Sequence, residues 1–285
     1  MTMNLTPGAM TMNLALFGLG IIGSVWSRNL AADGHRVRAW NRTPKPDHPC
    51  FCADARTAVE GAQLVAIVVA DGPAVMGVLD AVLSGLAPGT VVANHATIGV
   101  DEVKAVQARV QAAGCRFLDM PFTGSKIAAE QRQTVYFVGD DAGVLPAVEA
   151  VYSGLSKAIL PLGAVGHAMA VKLALNLMIA TSFQSLAEGL RLARAAGLAD
   201  ADFFRCLDLN IAKSGLADLK KPKLLAADWS AQFSVKHLNK DLRHALRLAA
   251  SRGITLPQTA QLQAAYAVAE AKGLGEADFS VMYEG

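Results

Sequence analysis

Short, nearly continuous apolar runs alternate with amphipathic stretches over the first half of the chain. Leu14 to Phe17, Arg36 to Trp40, Leu64 to Val69 and Thr90 to Ala93 are short, partly β-branched and bounded by turn residues, so they read as strands. Between them, segments such as Asp101 to Ala113 place Val103, Val106 and Val110 at i, i+3 and i+7, the spacing of one helical face. Strands apolar on both faces and alternating with helices predict an α/β fold built on a doubly wound parallel sheet. Arg116 to Asp119, Thr134 to Val138 and Ala158 to Leu160 supply three further short strands. Beyond Pro161 the pattern becomes long Ala/Leu-rich stretches, broken at Gly197, Lys213 to Gly215, Pro222 and Gly253 to Pro257, which predicts an all-helical C-terminal domain. Gly166 to Ala196 reads as one long helix linking the two halves. The tetrapeptide Met-Thr-Met-Asn occurs at positions 1–4 and again at 10–13, so residues 1–12 are expected to be a flexible extension, 13–162 the first domain and 163–285 the second.

Composition narrows the function classes. With 53% hydrophobic and 18% charged residues in 285, the chain is not of the intrinsically disordered class. Its 26 basic and 24 acidic side chains leave a net charge of +2, too balanced for the cationic footprint of a nucleic-acid binder. No run of about 18 apolar residues is free of charges, Pro or clustered polar groups, so no membrane partner is expected. The N-terminus lacks a basic segment ahead of an apolar stretch, which makes the cytoplasm the expected location. Cys50, Cys52, Cys115 and Cys206 form no CxxC pair and no zinc-ligand spacing, so free, mostly buried thiols and no metal site are expected.

The strongest chemical signal is Gly18-Leu19-Gly20-Ile21-Ile22-Gly23, which follows a predicted strand and opens a predicted helix. In that context the first glycine permits a tight turn, the second lets a pyrophosphate approach the backbone, and the third allows close helix packing, with the helix N-terminus facing the negative charge. The first domain is therefore expected to be a Rossmann dinucleotide-binding unit. The next strand ends at Asn41-Arg42-Thr43, where an NAD enzyme usually carries a carboxylate for the ribose 2′-hydroxyl. Arg42 suits a 2′-phosphate instead, with Asn41 and Thr43 as further donors, which favours NADPH/NADP over NAD. Thr123 and Gly124, in the turn Asp119 to Lys126, offer a hydroxyl and backbone amides that could cradle a carboxylate or simply form a turn. Lys172 and Asn176 stand at i and i+4 on one helical face in a largely uncharged stretch. On periodicity alone Lys172 is as readily a snorkelling lysine as a catalytic one. In Phe233 to Leu242, Ser234 is a potential N-cap, and Lys240-Asp241 by itself reads as a solvated pair.

Taken together, these segments resemble the β-hydroxyacid dehydrogenase family, which joins an N-terminal Rossmann domain to an all-helical C-terminal domain. The resemblance spans nearly the whole chain. It is strongest toward the NADPH-dependent glyoxylate and succinic semialdehyde reductases, through Thr123 to Lys126, Gly163 to Asn176, and Phe233 to Asp241. It implies Lys172 as the catalytic lysine with Asn176 as its partner, and Thr123, Gly124, Phe233 and Asp241 as substrate contacts. The cofactor contacts it implies are the Gly18-to-Gly23 loop (Gly18, Leu19, Gly20, Ile21, Ile22 and Gly23), Asn41, Arg42, Thr43, Thr97 and Lys240. A small carboxylate-bearing aldehyde or keto acid is the implied substrate, and a homodimer or homotetramer the implied assembly. A lysine ammonium with an ordinary pKa of about 10.4 is charged at neutral pH and can protonate a carbonyl oxygen as hydride arrives.

The chain departs from the family pattern at several positions. Asp-x-Ser-Thr appears as Asn94-His95-Ala96-Thr97, a usual hinge glycine is Ala168, and the glycine that often follows the acidic residue is Arg132. These departures bear on the substrate pocket. His95 reads as a packed or solvated loop residue, since the family uses no acid there. Three other functions are weighed: oxidation of a 3-hydroxy acid such as 3-hydroxyisobutyrate; imine reduction, against which Lys172 argues; and a silent NADPH-binding sensor.

Overall fold

The computed structural model describes residues 11–284. The extension expected over residues 1–12 lies outside them except for Thr11 and Met12. Met12 belongs to the fold, since its carbonyl accepts from Arg36 N at 3.0 Å and its side chain packs against the first core. The chain forms two compact units that divide between Lys172 and Leu173. This is ten residues beyond the division expected after Leu162, because the first turn of the long helix packs with the unit that precedes it.

In the first unit the elements are β1 (Asn13–Phe17), α1 (Ile21–Ala32), β2 (Arg36–Trp40), α2 (Ala55–Val59), β3 (Leu64–Ile67), α3 (Gly72–Val82), β4 (Val91–Asn94), α4 (Val100–Ala112) and β5 (Arg116–Asp119). They continue with β6 (Phe122–Thr123), α5 (Lys126–Glu130), β7 (Thr134–Val138), α6 (Glu149–Ser153) and β8 (Ser156–Pro161). Five strands make a parallel sheet in the order β2-β1-β3-β4-β5, with β1 Phe17 level with Trp40 of β2 and Ile67 of β3. The chain reverses direction across the sheet between β1 and β3, and the carboxyl ends at such a switch point are where open α/β sheets bind ligands. A separate sheet, β6-β7-β8, takes the two later predicted strands and adds the two-residue β6, too short to show in the apolar pattern.

Helix α7 (His167–Ala195) spans the division between the units, and α8 (Asp200–Asp208), α9 (Gly215–Ala226), α10 (Val235–Ser251) and α11 (Pro257–Ala269) follow. On α10, Val235, Leu238, Leu242, Ala245 and Ala249 form one buried stripe at helical spacing. Val235, Leu238 and Leu242 join Phe183, Leu190, Phe204, Tyr266 and Phe279 in the second core.

One expectation is corrected. Pro222 does not break the chain but sits inside α9. The lost N–H bond is tolerated because Lys220 and Lys223, on either side of it, are both buried and anchored by bonds to Asp278 and to Asp228 and Ser230. By length and composition α7 is apolar enough to cross a membrane, with Lys172 interrupting its apolar run. Cys50 and Cys115 are buried, Cys52 half-buried and Cys206 exposed, and all four are free.

Candidate active site

The Gly18-to-Gly23 loop joins β1 to α1 at the switch point. Gly18 adopts φ +107°, and a Cβ built on it would lie 2.1 Å from the Val68 carbonyl oxygen just past β3. On Gly23 a Cβ would lie 1.9 Å from the Gly18 carbonyl oxygen. Both glycines are therefore required by the chain's own packing. Gly20 is different: a Cβ there would meet nothing within 4 Å, so no protein atom accounts for its lack of a side chain. Helix α1 begins without a side-chain cap and without an acidic residue in its first turn. Open backbone beside an uncapped helix N-terminus fits a dinucleotide pyrophosphate.

Around this loop the polar turn after β2 folds back. Asn41 Oδ1 accepts from Leu19 N at 2.8 Å, and its Nδ2 donates to Thr43 O at 2.7 Å. Asn41, expected as a cofactor donor, thus uses its side chain to buttress the glycine loop. Lys45 Nζ donates to Leu19 O at 2.5 Å. Sequence reasoning passed over Lys45, although it lies three residues beyond Arg42 in the same turn and doubles the local positive charge. Arg42 and Thr43 are exposed, and among the described residues no hydrogen bond or ion pair of the Arg42 guanidinium is found. No carboxylate occupies this turn before Asp47.

Thr97, after β4, and Thr123, in β6, are both half-buried. Gly124 follows with φ +137°, exposed, opening the turn into α5. Two of the departures have structural explanations. His95 is fully buried: Nδ1 lies 2.7 Å from Met120 O, and Nε2 2.9 Å from the Tyr152 hydroxyl. A carbonyl only accepts, so Nδ1 carries the proton and Nε2 accepts from Tyr152. Burial pushes the imidazole down to about 4, keeping it neutral in a cluster with Trp26, Tyr136 and Tyr152. It is packed, not solvated. Arg132, at φ +57°, spends its guanidinium on the chain itself: it pairs through both Nη atoms with Asp33 at 2.7 and 2.9 Å, and donates to Gly154 O at 2.6 Å.

Lys172 is half-buried on the second turn of α7 and is the one charged residue between His167 and Gln184. In the second unit, Asn176 is buried and donates from Nδ2 to Asp241 Oδ2 at 2.6 Å. Lys240 Nζ lies 3.1 Å from Asp241 Oδ1. The expected Asn176, Lys240 and Asp241 are thus brought together on α7 and α10, and Asp241 is buried rather than solvated. Phe233 is half-buried against the second core, its ring centroid 5.9 Å from that of Phe279. Its amide donates to Asp278, which also takes Lys220 Nζ at 2.6 Å. Neither Lys220 nor Asp278 was singled out from the sequence.

Two family profiles cover the chain: the NAD binding domain of 6-phosphogluconate dehydrogenase over residues 13–176, and the NAD-binding region of NADP-dependent 3-hydroxyisobutyrate dehydrogenase over 166–284. The chain belongs to the β-hydroxyacid dehydrogenase family. It is an NAD(P)-dependent oxidoreductase. Among its relatives, glyoxylate/succinic semialdehyde reductase 1 of Arabidopsis thaliana is 27% identical over 96% of this chain and 98% of that protein. The 2-hydroxy-3-oxopropionate reductase of Escherichia coli is 26% identical over 96% of each. In structure, the Mycobacterium tuberculosis 3-hydroxyisobutyrate dehydrogenase with L-serine superposes with a TM-score of 0.87 at 26% identity, covering 96% of this chain and 99% of that one. The cofactor of the present chain is a nicotinamide dinucleotide.

Proposed function

We propose that this dehydrogenase reduces a small carboxylate-bearing aldehyde or keto acid, of the glyoxylate or succinic semialdehyde type, with NADPH. The observation that carries the reading is Lys172, the lone charge on the first half of an apolar helix, in a chain whose glycine loop fits a dinucleotide. The nicotinamide, when bound, supplies hydride. Lys172 Nζ donates a proton to the carbonyl oxygen as negative charge develops there, and is then reprotonated from solvent. Thr123 and the Gly124 backbone bind the substrate carboxylate, while Asn176, Phe233 and Asp241 are assigned to substrate. Thr97 and Lys240 are assigned to the cofactor.

NADPH is preferred in this reading because the turn after β2 offers two cations, Arg42 and Lys45, and no carboxylate before Asp47. A 2′-phosphate accepts charge-assisted bonds from such a pair. Arg42→Ala is expected to raise the KM for NADPH at least tenfold while sparing NADH. Equal use of both cofactors by the unmodified enzyme contradicts the assignment. A second reading, oxidation of a 3-hydroxy acid, is the same chemistry reversed with neutral Lys172 as base, and the similarity to 3-hydroxyisobutyrate dehydrogenase favours keeping it. Self-association belongs to the same proposal, since α7 exposes Leu175, Met178 and Leu192, and sedimentation tests it.

The deciding experiment compares Lys172→Ala with Lys172→Met across glyoxylate, succinic semialdehyde and 3-hydroxyisobutyrate. Loss of a general acid lowers kcat by about 10² to 10⁴. If Lys172 is the proton donor, both variants are equally inactive and retain NADPH affinity. Substantial activity in the Met variant, which keeps the apolar stem, overturns the mechanism.

A further inference from the structure

Helix α7 starts on a residue that cannot cap it. Ala170 N donates to Gly166 O at 2.9 Å, which makes Gly166 the N-cap, and its φ of +96° suits glycine, which has no side chain to offer. The acceptor comes from a distant part of the same unit. Asp119, the last residue of β5, takes Gly166 N at 2.9 Å and Met169 N at 3.2 Å on a single oxygen, Oδ2. These are the cap residue's own amide and the third amide of the helix. Asp119 is itself rigidly held, since its N–H and C=O exchange bonds with Gly139 at 3.1 and 2.8 Å.

The arrangement is unusual in what it leaves unmet. Asp119 is fully buried, and its Oδ1 has no hydrogen-bond partner among the described residues. Burial pushes its carboxyl up to about 6, against the downward pull of the two amides and with Asp141 adding to the rise. A carboxylate held there works against the stability of the unit at neutral pH, but it gives both amides charge-assisted bonds that a neutral serine or asparagine would hold more weakly. Its retention calls for a role other than stability. Met169, Lys172 and Asn176 stand at i, i+3 and i+7 on α7, so the amide that Asp119 fixes belongs to the stripe that carries the lysine.

We propose that Asp119 is a positioning residue for Lys172, a remote N-cap that fixes the start of α7 and thereby the register and direction from which the lysine approaches the reacting oxygen. The inference rests on Lys172 being the proton donor. Loosening the cap frees the first turns of α7 and leaves intact the glycine loop, whose backbone bonds run to Trp40 and Asn41 and not to this contact.

The test compares Asp119→Asn with wild type in the full-length chain, using glyoxylate or succinic semialdehyde with NADPH. The expected result is a fall in kcat of at least tenfold, with KM for the aldehyde and Kd for NADPH within about twofold. The double variant Asp119→Asn/Lys172→Ala should be no slower than Lys172→Ala alone, because a residue acting through the lysine has nothing left to position. A readout independent of turnover is competitive acylation of lysines, followed by mass spectrometry without cofactor. Lys172 should label at least threefold faster in Asp119→Asn, while exposed Lys126 is unchanged. Native kcat in the variant, multiplicative losses in the double variant, or an unchanged labelling rate overturns the inference. If the Asn variant does not fold, Asp119→Ser, which is smaller and accepts one amide bond, is judged by the same readouts. The two readings fail separately: an active Lys172→Met removes the proton donor and this inference with it, whereas an inactive Lys172→Met beside a fully active Asp119→Asn removes the positioning role alone.

Discussion

The glycine loop of the first unit and the Asp278 cluster of the second both fix functional backbone, by opposite means. Around Gly18 and Gly23 the geometry is set by the absence of side chains, since each lies where a Cβ would fall within about 2 Å of a carbonyl oxygen. Around Asp278 it is set by a buried side chain that gathers five donors: Lys220 Nζ, the hydroxyl and amide of Ser280, and the amides of Gln232 and Phe233. Burial works against the Asp278 charge, but Lys220 and Ser280 hold its carboxyl below the ordinary range. A backbone device of the first kind tolerates no substitution at its tight points, however conservative. A charge device of the second kind tolerates replacement only of both partners together.

The sharpest way to break this contrast is to add one methyl group at different points of the glycine loop. Gly18→Ala places Cβ 2.1 Å from the Val68 oxygen at φ +107°, and should destabilise the first unit by more than about 4 kcal/mol, with no soluble, NADPH-binding protein recovered. Gly20→Ala meets no protein atom within 4 Å and should change stability by no more than about 0.5 kcal/mol. Its effect should fall on the cofactor instead, raising the Kd for NADPH at least tenfold by denying the pyrophosphate its close approach. Calorimetric melting and fluorescence titration separate the two. A Gly20→Ala variant that binds NADPH normally would falsify the assignment of that open space to the cofactor.

The second unit should respond to charge rather than to volume. Lys220→Met leaves Asp278 buried without its cation and should cost about 3–5 kcal/mol in a denaturant titration. Adding Asp278→Asn should recover most of that loss, because the remaining donors then meet a neutral acceptor. If the double variant is no more stable than the single one, the pair is not acting as a charge device.

How far each device could be read from the sequence follows from the same distinction. A glycine loop leaves a local signature, and Gly18, Gly20 and Gly23 stand out because strand, turn and helix occupy consecutive residues. Lys172 and Asn176 were equally visible as polar intrusions on an apolar face. Lys220 and Asp278 are 58 residues apart and meet only through tertiary packing, so no spacing marks them. The same packing keeps Pro222 inside α9, where local rules place a break. Asp119 was quoted within a turn motif, yet its bonds run to residues 47 and 50 positions away. His95 was expected to be packed or solvated, and that both ring nitrogens are satisfied by Met120 and Tyr152 depends on the fold.

His95 also gives the first unit a pH dependence that the Asp278 cluster does not share. Burial lowers the imidazole from an ordinary 6.5 to about 4, so the folded state favours the neutral ring. The stabilisation is complete above pH 6.5 and is lost progressively as pH falls from 6.5 toward 4, a total of about 3 kcal/mol. His95→Gln cannot titrate but can still donate to the Met120 carbonyl and accept from Tyr152. Urea midpoints measured from pH 7 to 4.5 should therefore fall less steeply in the variant. Parallel curves for the two proteins would remove His95 from the acid sensitivity of the first unit.

The smallest expected effect lies at Arg132, where a side chain occupies backbone geometry that suits glycine. At φ +57° a non-glycine residue carries strain of about 1–2 kcal/mol, and the guanidinium offsets it by tying Asp33 and the Gly154 carbonyl together. The ion pair is about one-third exposed on each side, so its own contribution is no more than about 1 kcal/mol. Arg132→Gly loses the bonds but also the strain, and should shift stability by no more than about 1 kcal/mol. Arg132→Ala loses the bonds and keeps the strain, so it should be the less stable of the two by about 1 kcal/mol. The order of these two variants in a urea titration isolates the backbone contribution. If Ala equals or exceeds Gly, the left-handed conformation carries no strain here, and Arg132 holds α1 to the end of α6 through its charge alone, in the manner of the second unit rather than the first.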